Sequence, residues 1–250
     1  MSAAANVKTI AKRELVSYFA SPVAYVFIVI FLLLTGFFTF MLGNFFQANQ
    51  ASLGNSFFIC HPWLYLFLVP AVGMRLWSEE RRMGTMELLL TMPITAWQAI
   101  IGKFLASWIF LAIALALTFP IVITVNYLGS PDNGVILASY IGSWLMAGSY
   151  LAVNRMTSAM TRSQVVSFIV SVVICLLLLL VGYPAVTDLL YQSLGFNQHL
   201  VETIASFSVM PHFENLKSGV LDSRDLIFFA SVIVFSLFTT GVIIRGHRSG

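Results

Sequence analysis

The sequence predicts an all-α polytopic membrane protein with six transmembrane helices, an N-terminal interfacial helix and a cytoplasmic coupling helix. Its 250 residues are 59% hydrophobic and only 9% charged, with a mean hydropathy of +0.91. Soluble domains do not have this composition. Six apolar runs approach the roughly 20 residues that a helix needs to cross a bilayer. The chain shows no repeat or linker, so residues 1–250 are predicted to form a single transmembrane domain.

Residues 5–20 predict a helix that lies along the membrane surface. Apolar residues such as Ile10, Leu15 and Tyr18 recur at helical spacing, and Lys12 and Glu14 fall on the other side. This pattern is typical of an interfacial helix in the inner leaflet. The alternative is an ordinary positively charged flank that orients the first span.

The distribution of basic residues predicts how the spans are oriented. The predicted spans cover about 22–42, 57–75, 104–127, 135–153, 164–183 and 226–244. All Lys and Arg residues except Lys217 and Arg224 fall on one side of this arrangement. Because positive charge favours the cytoplasmic side, both termini, the 75–103 segment and the 154–163 loop are predicted to be cytoplasmic.

Prolines and short apolar pieces predict local features of this bundle. Pro62, Pro70 and Pro120 predict kinks in the second and third spans. On the outer side, about 184–225 contains two apolar pieces, 185–194 and 199–208, that are too short to span. They are predicted to be short helices on or in the outer leaflet; the alternative is a loosely packed extracellular loop.

The 75–103 segment is the main charged interruption of the chain. Gly84 ends one helix, Thr85 can cap a short new one, and Glu87 lies near its positive end. Pro93 ends that short helix. Thr95 and Gln98 then fit a capping box, which starts the helix of the next span. The alternative to a short amphipathic helix across the membrane surface is a solvated connecting loop.

The run EERRMGTMELLLTMPIT, followed by Gly102 and Lys103, resembles the coupling segment of ABC exporter permeases of the second type. That pattern is roughly Glu-x-x-x-Gly-Thr-x-Glu-x-Leu-Leu, then a proline, then Gly-Lys. The runs KRELVSYFASPVAYVF and HFENLKSGVLDSRDLIFF resemble the gliding-motility branch of these permeases, to which a nitrous oxide reductase maturation branch is related. The resemblance covers nearly the whole chain.

The resemblance implies an assembly in the bacterial cytoplasmic (inner) membrane. Two permease copies, as a homodimer, would pair with two ABC ATP-binding subunits that bind ATP and Mg; an accessory membrane or periplasmic protein is a further implied partner. No cofactor or metal is expected in this chain. The residues expected to couple it to the ATPase are Glu79, Glu80, Arg81, Gly84, Thr85, Glu87, Leu88, Leu89, Leu90 and Pro93.

A stripe of small residues in the fifth span has two interpretations. It comprises Ser163, Ser167, Ser171 and Cys175. Their four-residue spacing lets another helix approach closely. The stripe is predicted either to be the dimer interface, where the resembled exporters pair, or to pack within one subunit.

The sequence lacks the motifs that several classes of function require. Phe104 follows Gly102-Lys103, so no phosphate-binding loop is present, and we expect no enzymatic site in this chain. The predicted spans carry no Asp, Glu, Lys or Arg in their cores, which argues against an ion-coupled secondary carrier. An uncharged path favours lipid-like or amphipathic cargo. The other alternative is a force-transmitting permease that moves no solute. His61 and Asn126 are interpreted as structural hydrogen-bonding groups.

Overall fold

The computed structural model describes residues 3–43, 45–46, 52–74, 95–192 and 197–246. These residues form helices and turns, with no strand among them, which confirms the all-α class. The helices are α1 Ala3–Ala20, α2 Pro22–Phe37, α3 His61–Gly73, α4 Ala96–Ala116, α5 Phe119–Leu128, α6 Asn133–Met160, α7 Gln164–Leu180, α8 Pro184–Gln192, α9 Gln198–Ala205, α10 Val209–Lys217 and α11 Ser223–Gly246. A π-helical turn, Phe38–Leu42, continues α2, and a 3₁₀ turn, Phe58–Cys60, leads into α3.

Four of the described helical segments are long and apolar enough to cross a membrane. They are Pro22–Leu42, Ala96–Leu128, Asn133–Met160 and Ser223–Gly246. Two shorter apolar segments, Phe58–Gly73 and Gln164–Leu180, coincide with the second and fifth predicted spans. The chain is therefore a multi-pass helical membrane protein, and the number six remains a prediction.

Helix α6 lies at the centre of the bundle and packs against α3, α4, α7, α10 and α11. Two thirds (67%) of its most apolar window is buried, compared with 28–39% in the other three long segments. Gly142 and Gly148 permit close approach, because a Cβ at either position would lie within 2.7 Å of Leu216 or Trp108. Trp108 and Trp144 stack at 4.1 Å, and each indole N–H donates to the other residue's carbonyl at 3.0 and 3.2 Å.

The three prolines occupy different positions relative to the helices. The third span is interrupted between α4 and α5, just before Pro120, where the Thr118 hydroxyl donates to the Leu115 carbonyl at 2.6 Å. Pro70 lies inside α3. Pro62 lies in the first turn of α3. A proline there begins a helix rather than bending it, because the first-turn N–H groups have no partner within the helix.

Helix α6, which corresponds to the fourth predicted span, is longer than predicted. The sequence pattern ends it at residue 153, where polar residues begin, but α6 continues to Met160. Arg155 therefore does not belong to a cytoplasmic loop; it is a buried helical residue, 1% exposed. The helix continues because its polar residues find partners on neighbouring helices: Asn154 donates to the Pro70 carbonyl at 3.3 Å, and Ser158 donates to the Met74 carbonyl at 3.3 Å.

The described part of the segment predicted to lie on the outer side contains three helices. The two short apolar pieces form α8 and α9, and α10, which the sequence pattern does not predict, follows them. Ser208 caps α10 by accepting from the Met210 N–H at 3.2 Å, and its hydroxyl donates to the Leu178 carbonyl of α7 at 2.8 Å. Helix α10 packs against α6 and α11, so this part of the segment belongs to the bundle.

Candidate functional site

Several chain segments meet at one end of the bundle, which we call the junction end. An apolar cluster there joins Ala99 of α4, Ala159 of α6 and Ile244 of α11. Met74, which precedes the predicted coupling segment, and Thr95, which follows the last predicted coupling residue, Pro93, also lie at this end. The described residues on either side of the predicted coupling residues therefore lie at the same end of the bundle.

Helix α4 begins with the predicted capping box. The Thr95 hydroxyl accepts from the Gln98 N–H at 3.3 Å, and the Gln98 side chain accepts from the Thr95 N–H at 3.2 Å. This pair satisfies two N–H groups that have no partner within the helix, and it confirms the predicted start of the helix that continues into the third span. The Asn6 side chain donates to the Gln98 side chain at 3.4 Å, so α1 contacts this cap.

Helix α1 packs lengthwise and parallel to the first half of α4. Ile10 lies against Gly102, where a Cβ would be 2.7 Å from the isoleucine Cγ2. Further along both helices, Tyr18 stacks on Phe110 at 5.2 Å. The predicted interfacial helix is thus a helix whose apolar side is held by α4; its position in the inner leaflet remains a prediction.

Five polar residues link α1, α4 and α6, and we call them the polar junction: Glu14, Tyr18, Lys103, Ser107 and Arg155. Arg155 Nη2 donates to the Lys103 carbonyl at 2.8 Å and also to the Ser107 hydroxyl. The Tyr18 and Ser107 hydroxyls lie 3.0 Å apart. Lys103 Nζ lies 3.8 Å from Glu14 Oε1. Lys103 and Arg155 are 3% and 1% exposed, so the three helices enclose both cationic side chains.

The hydrogens of this network can be assigned. The Ser107 hydroxyl donates its only hydrogen to the Lys103 carbonyl at 3.0 Å. Its oxygen therefore accepts from both Arg155 and Tyr18, so the tyrosine O–H is a donor. Burial raises the pKa of Tyr18, although nearby Arg155 and the hydrogen bond with Ser107 oppose the shift. The tyrosine consequently keeps the proton that it donates.

Sequence reasoning missed most of the polar junction. Lys103 and Ser107 are four residues apart and share a face of α4, which the sequence could have indicated. Arg155, however, falls in the predicted 154–163 loop, and its hydrogen-bond partner Ser107 lies 48 residues away in the chain. The sequence carries no local signal for such a contact.

The predicted coupling residues lie outside the described residues. They are Glu79, Glu80, Arg81, Gly84, Thr85, Glu87, Leu88, Leu89, Leu90 and Pro93. Their role in coupling remains a prediction.

The small-residue stripe of α7 faces the interior of this chain. Ser167, Ser171 and Cys175 are each 0% exposed, and Ser163 caps the helix by accepting from the Val166 N–H at 3.5 Å. These contacts match the alternative of packing within one subunit. The opposite face of α7 is apolar and exposed: Val165, Ile169, Val173 and Leu177. A dimer interface on this helix remains a prediction, and the exposed face is the one open to a second copy.

The two polar groups at the other end of the bundle make structural hydrogen bonds. Buried His61 places Nδ1 3.1 Å from the Phe57 carbonyl. Asn126 donates to the Val122 carbonyl at 2.8 Å and exchanges two 3.1 Å hydrogen bonds with Asn133. Neither residue belongs to the polar junction.

One of the comparisons with known proteins identifies a family for this chain. No curated protein matches the chain. The family described as "ABC-2 family transporter protein" matches residues 8–246, which include every described helix except the first turns of α1. Because the match spans nearly the whole chain, the protein belongs to the ABC-2 family of transporter proteins.

Proposed function

We propose that this chain is the transmembrane permease subunit of an ATP-driven ABC transporter that exports or moves lipid-like or amphipathic cargo. Membership of the ABC-2 family, which carries the proposal, implies association with an ABC ATP-binding subunit. ATP and Mg would bind to that separate subunit, and this chain would supply no catalytic group.

The polar junction supports a specific route for the coupling. The coupling segment would dock on the ATP-binding subunit through Leu88, Leu89 and Leu90, with charged residues such as Glu87 holding the two together. Helix α4 begins at Ala96, shortly after Pro93, the last of the predicted coupling residues, so a push on those residues would act directly on α4. The hydrogen bonds of Ser107 would pass this displacement to α1 and to α6.

The positions of the buried charges support the proposed cargo. Lys103 and Arg155 lie at the junction end of their helices, and Asp225 lies in the first turn of α11. Charge is costly at the middle of a membrane helix, by about 2.5–3.5 kcal/mol on insertion scales. Among the described residues, none of the buried charged side chains, Lys103, Arg155, Lys217 and Asp225, lies at the middle of a span; this would suit amphipathic cargo better than small ions and would disfavour an ion-coupled carrier.

The proposed assembly contains two copies of this chain and two ATP-binding subunits in the bacterial inner membrane. Both termini and the coupling segment would face the cytoplasm. We place the chain in the gliding-motility and nitrous oxide reductase maturation branch, on the resemblance of its N-terminal and late segments. That branch also motivates a second candidate, a force-transmitting permease that moves no solute. The separating observation is cargo density between the two copies, which only an exporter would contain.

The test of this proposal is charge reversal in the coupling segment. Glu87→Lys is expected to weaken co-purification with the ATP-binding subunit at least tenfold, or about 1.4 kcal/mol, with membrane insertion unchanged. The control is Asp188→Lys, which makes the same change of charge on exposed α8. An unchanged yield of the complex with Glu87→Lys would show that the docking role is assigned to the wrong residue.

A further inference from the structure

Helix α1 presents a stripe of exposed side chains that changes from basic to apolar along the helix. The stripe consists of Lys8, Lys12, Val16 and Ala20, all of them exposed. Their four-residue spacing places them on one face of the helix. The stripe ends two residues before the apolar segment Pro22–Leu42, which is long enough to cross a membrane. Its apolar part is therefore the part closer in the chain to the first span.

The opposite side of α1 is apolar and already occupied by α4. Ile10 packs against Gly102, and the Tyr18 ring stacks on Phe110 at 5.2 Å. An amphipathic helix without such a partner would insert its apolar side among the acyl chains. In α1, the exposed stripe is instead the surface that remains for contact with the bilayer.

The positive charge of the stripe is not neutralised by α1 itself. Lys8 and Lys12 make no hydrogen bond or ion pair with any residue that the structure describes. The acidic residue of α1, Glu14, has a side chain that is only 16% exposed; it lies 3.2 Å from Arg13 and 3.8 Å from Lys103. Both lysines are therefore available to an anionic partner.

Charge is segregated by sign between the two ends of the described bundle. Two further arginines at the junction end, Arg162 and Arg245, are exposed. In the described part of the chain, the acidic residues other than Glu14 lie at the opposite end, from Asp132 at the start of α6 to Asp225 at the start of α11. The exposed cations around α1 therefore attract negatively charged groups.

A lipid surface fits this stripe better than an acidic protein surface. Helix α1 ends at Ala20 and the first span begins at Pro22, so the headgroups of the adjoining leaflet lie close to the stripe. Val16 is 61% exposed on the same face as Lys12. An apolar group one turn from a long basic side chain suits the boundary between headgroups and acyl chains, where lysines keep their ammonium groups in the polar layer.

We propose that α1 binds anionic phospholipids, with Lys8 and Lys12 contacting the headgroup phosphates and Val16 reaching the acyl boundary. The lipid holds α1 from its exposed side, and α4 holds it from the other. Because Glu14 of α1 pairs with Lys103 of α4, the bound lipid also steadies the polar junction relative to the membrane surface. This inference does not depend on the proposed function.

The experiment measures which lipid lies beside α1 in the full chain. In a background with Cys60 and Cys175 replaced, a fluorophore is attached to Ser17→Cys, an exposed position on α1. Spin-labelled phosphatidylglycerol or phosphatidylcholine, added to nanodiscs of phosphatidylcholine, quenches it. The ratio of the two quenching efficiencies is expected to favour phosphatidylglycerol by at least about fivefold at low salt, the effect of roughly one lysine beside an anionic surface. High salt should reduce the ratio.

Three variants test the residues of the stripe. Lys8→Gln/Lys12→Gln should abolish most of the preference for phosphatidylglycerol, because it removes both unpaired charges. Lys8→Arg/Lys12→Arg keeps the charges and should keep the preference. The control Arg224→Gln removes an exposed charge at the other end of the bundle and should leave the ratio unchanged.

A wild type without a preference overturns the proposal, as does a Lys8→Gln/Lys12→Gln variant with the wild-type ratio. Equal losses in Lys8→Gln/Lys12→Gln and in either Lys8→Arg/Lys12→Arg or Arg224→Gln also overturn it, because the effect would then not come from charge on α1. An unchanged ratio in Lys8→Gln/Lys12→Gln, together with weaker co-purification of the ATP-binding subunit, would assign the stripe to a protein surface instead.

Discussion

The Ser107 hydroxyl has no unused hydrogen-bonding capacity. Its hydrogen is donated to the Lys103 carbonyl, and its oxygen accepts from Arg155 and Tyr18. Three helices therefore meet at one oxygen atom. Ser107 is a small residue in an apolar run, and its residue type does not indicate that it links three helices.

Removing that oxygen should destabilise the protein. Ser107→Ala leaves buried donors on Arg155 and Tyr18 with one acceptor fewer, at a cost of about 1–3 kcal/mol for a buried group left unsatisfied. The measurement is the thermal unfolding midpoint in nanodiscs. The control is Ser231→Ala on α11, an exposed serine whose hydroxyl donates only to the Phe228 carbonyl of its own helix. It should change stability by no more than about 0.5 kcal/mol, and equal shifts in the two variants would contradict the assignment.

At the scale of single residues, only local chemistry could be predicted. The capping box of Thr95 and Gln98 follows from a three-residue spacing, and the structure contains it. The contact of Arg155 with Ser107 depends on how two helices pack, which no spacing encodes. The contact of His212 with Asp225 joins α10 to α11, and the sequence pattern does not predict α10.

The contact of α1 with α4 depends on a glycine at their closest approach. A Cβ on Gly102 would lie 2.7 and 2.9 Å from two side-chain atoms of Ile10, and 3.3 Å from the Val7 carbonyl. Because one neighbour is backbone, the side chain cannot be accommodated by rotation alone. The two helices must therefore separate slightly if that position carries any larger residue.

Gly102→Ala should weaken the attachment of α1. We expect a loss of about 1–3 kcal/mol, the usual cost of overpacking, and increased proteolysis of α1 while the other helices stay protected. The control is Gly36→Ala in α2, where nothing lies within 4 Å of the new Cβ. That substitution should be neutral or should stabilise by up to about 1 kcal/mol. Greater damage from Gly36→Ala than from Gly102→Ala would refute the packing argument.

At the scale of helices, apolar length predicted most elements well and their ends poorly. Helix α6 extends beyond its apolar run because the polar residues Asn154 and Arg155 hydrogen-bond to α3 and α4 instead of to water. Three residues of the stripe on α7, Ser167, Ser171 and Cys175, are buried within this chain. Its partner could not be chosen from the sequence, because a small-residue stripe fits a helix of the same chain as well as one of another copy.

The whole bundle brings the connections predicted to be cytoplasmic to one end. Met74 and Thr95 lie there, as do the end of α6 and the end of α11. Charge asymmetry along the sequence was sufficient to predict this grouping, because alternate connections of a helical bundle fall on the same side. Which side of the membrane that end faces follows from the positive-inside tendency and is open to direct measurement.

Cysteine labelling of intact cells should establish the orientation. In a background with Cys60 and Cys175 replaced, Arg162→Cys at the junction end should not react with a membrane-impermeant maleimide until the cells are lysed. Asp188→Cys, in exposed α8 at the other end, should react before lysis. Labelling of Arg162→Cys in intact cells would invert the proposed topology and remove the coupling segment from the cytoplasm.

The interruption at Leu117 and Thr118 divides the third span into two parts with unequal freedom. The part nearer the junction end, α4, packs against α1 and α6, whereas the other part, α5, buries only Val122 and Val125. The Thr118 hydroxyl lies 2.9 Å from that of Tyr140, so the joint itself is tethered to the central helix. With this arrangement, α5 can tilt at the interruption while α4 stays in place. Within this span, the part with fewer buried residues is therefore the one farther from the junction end, where the coupling residues would pass on a push.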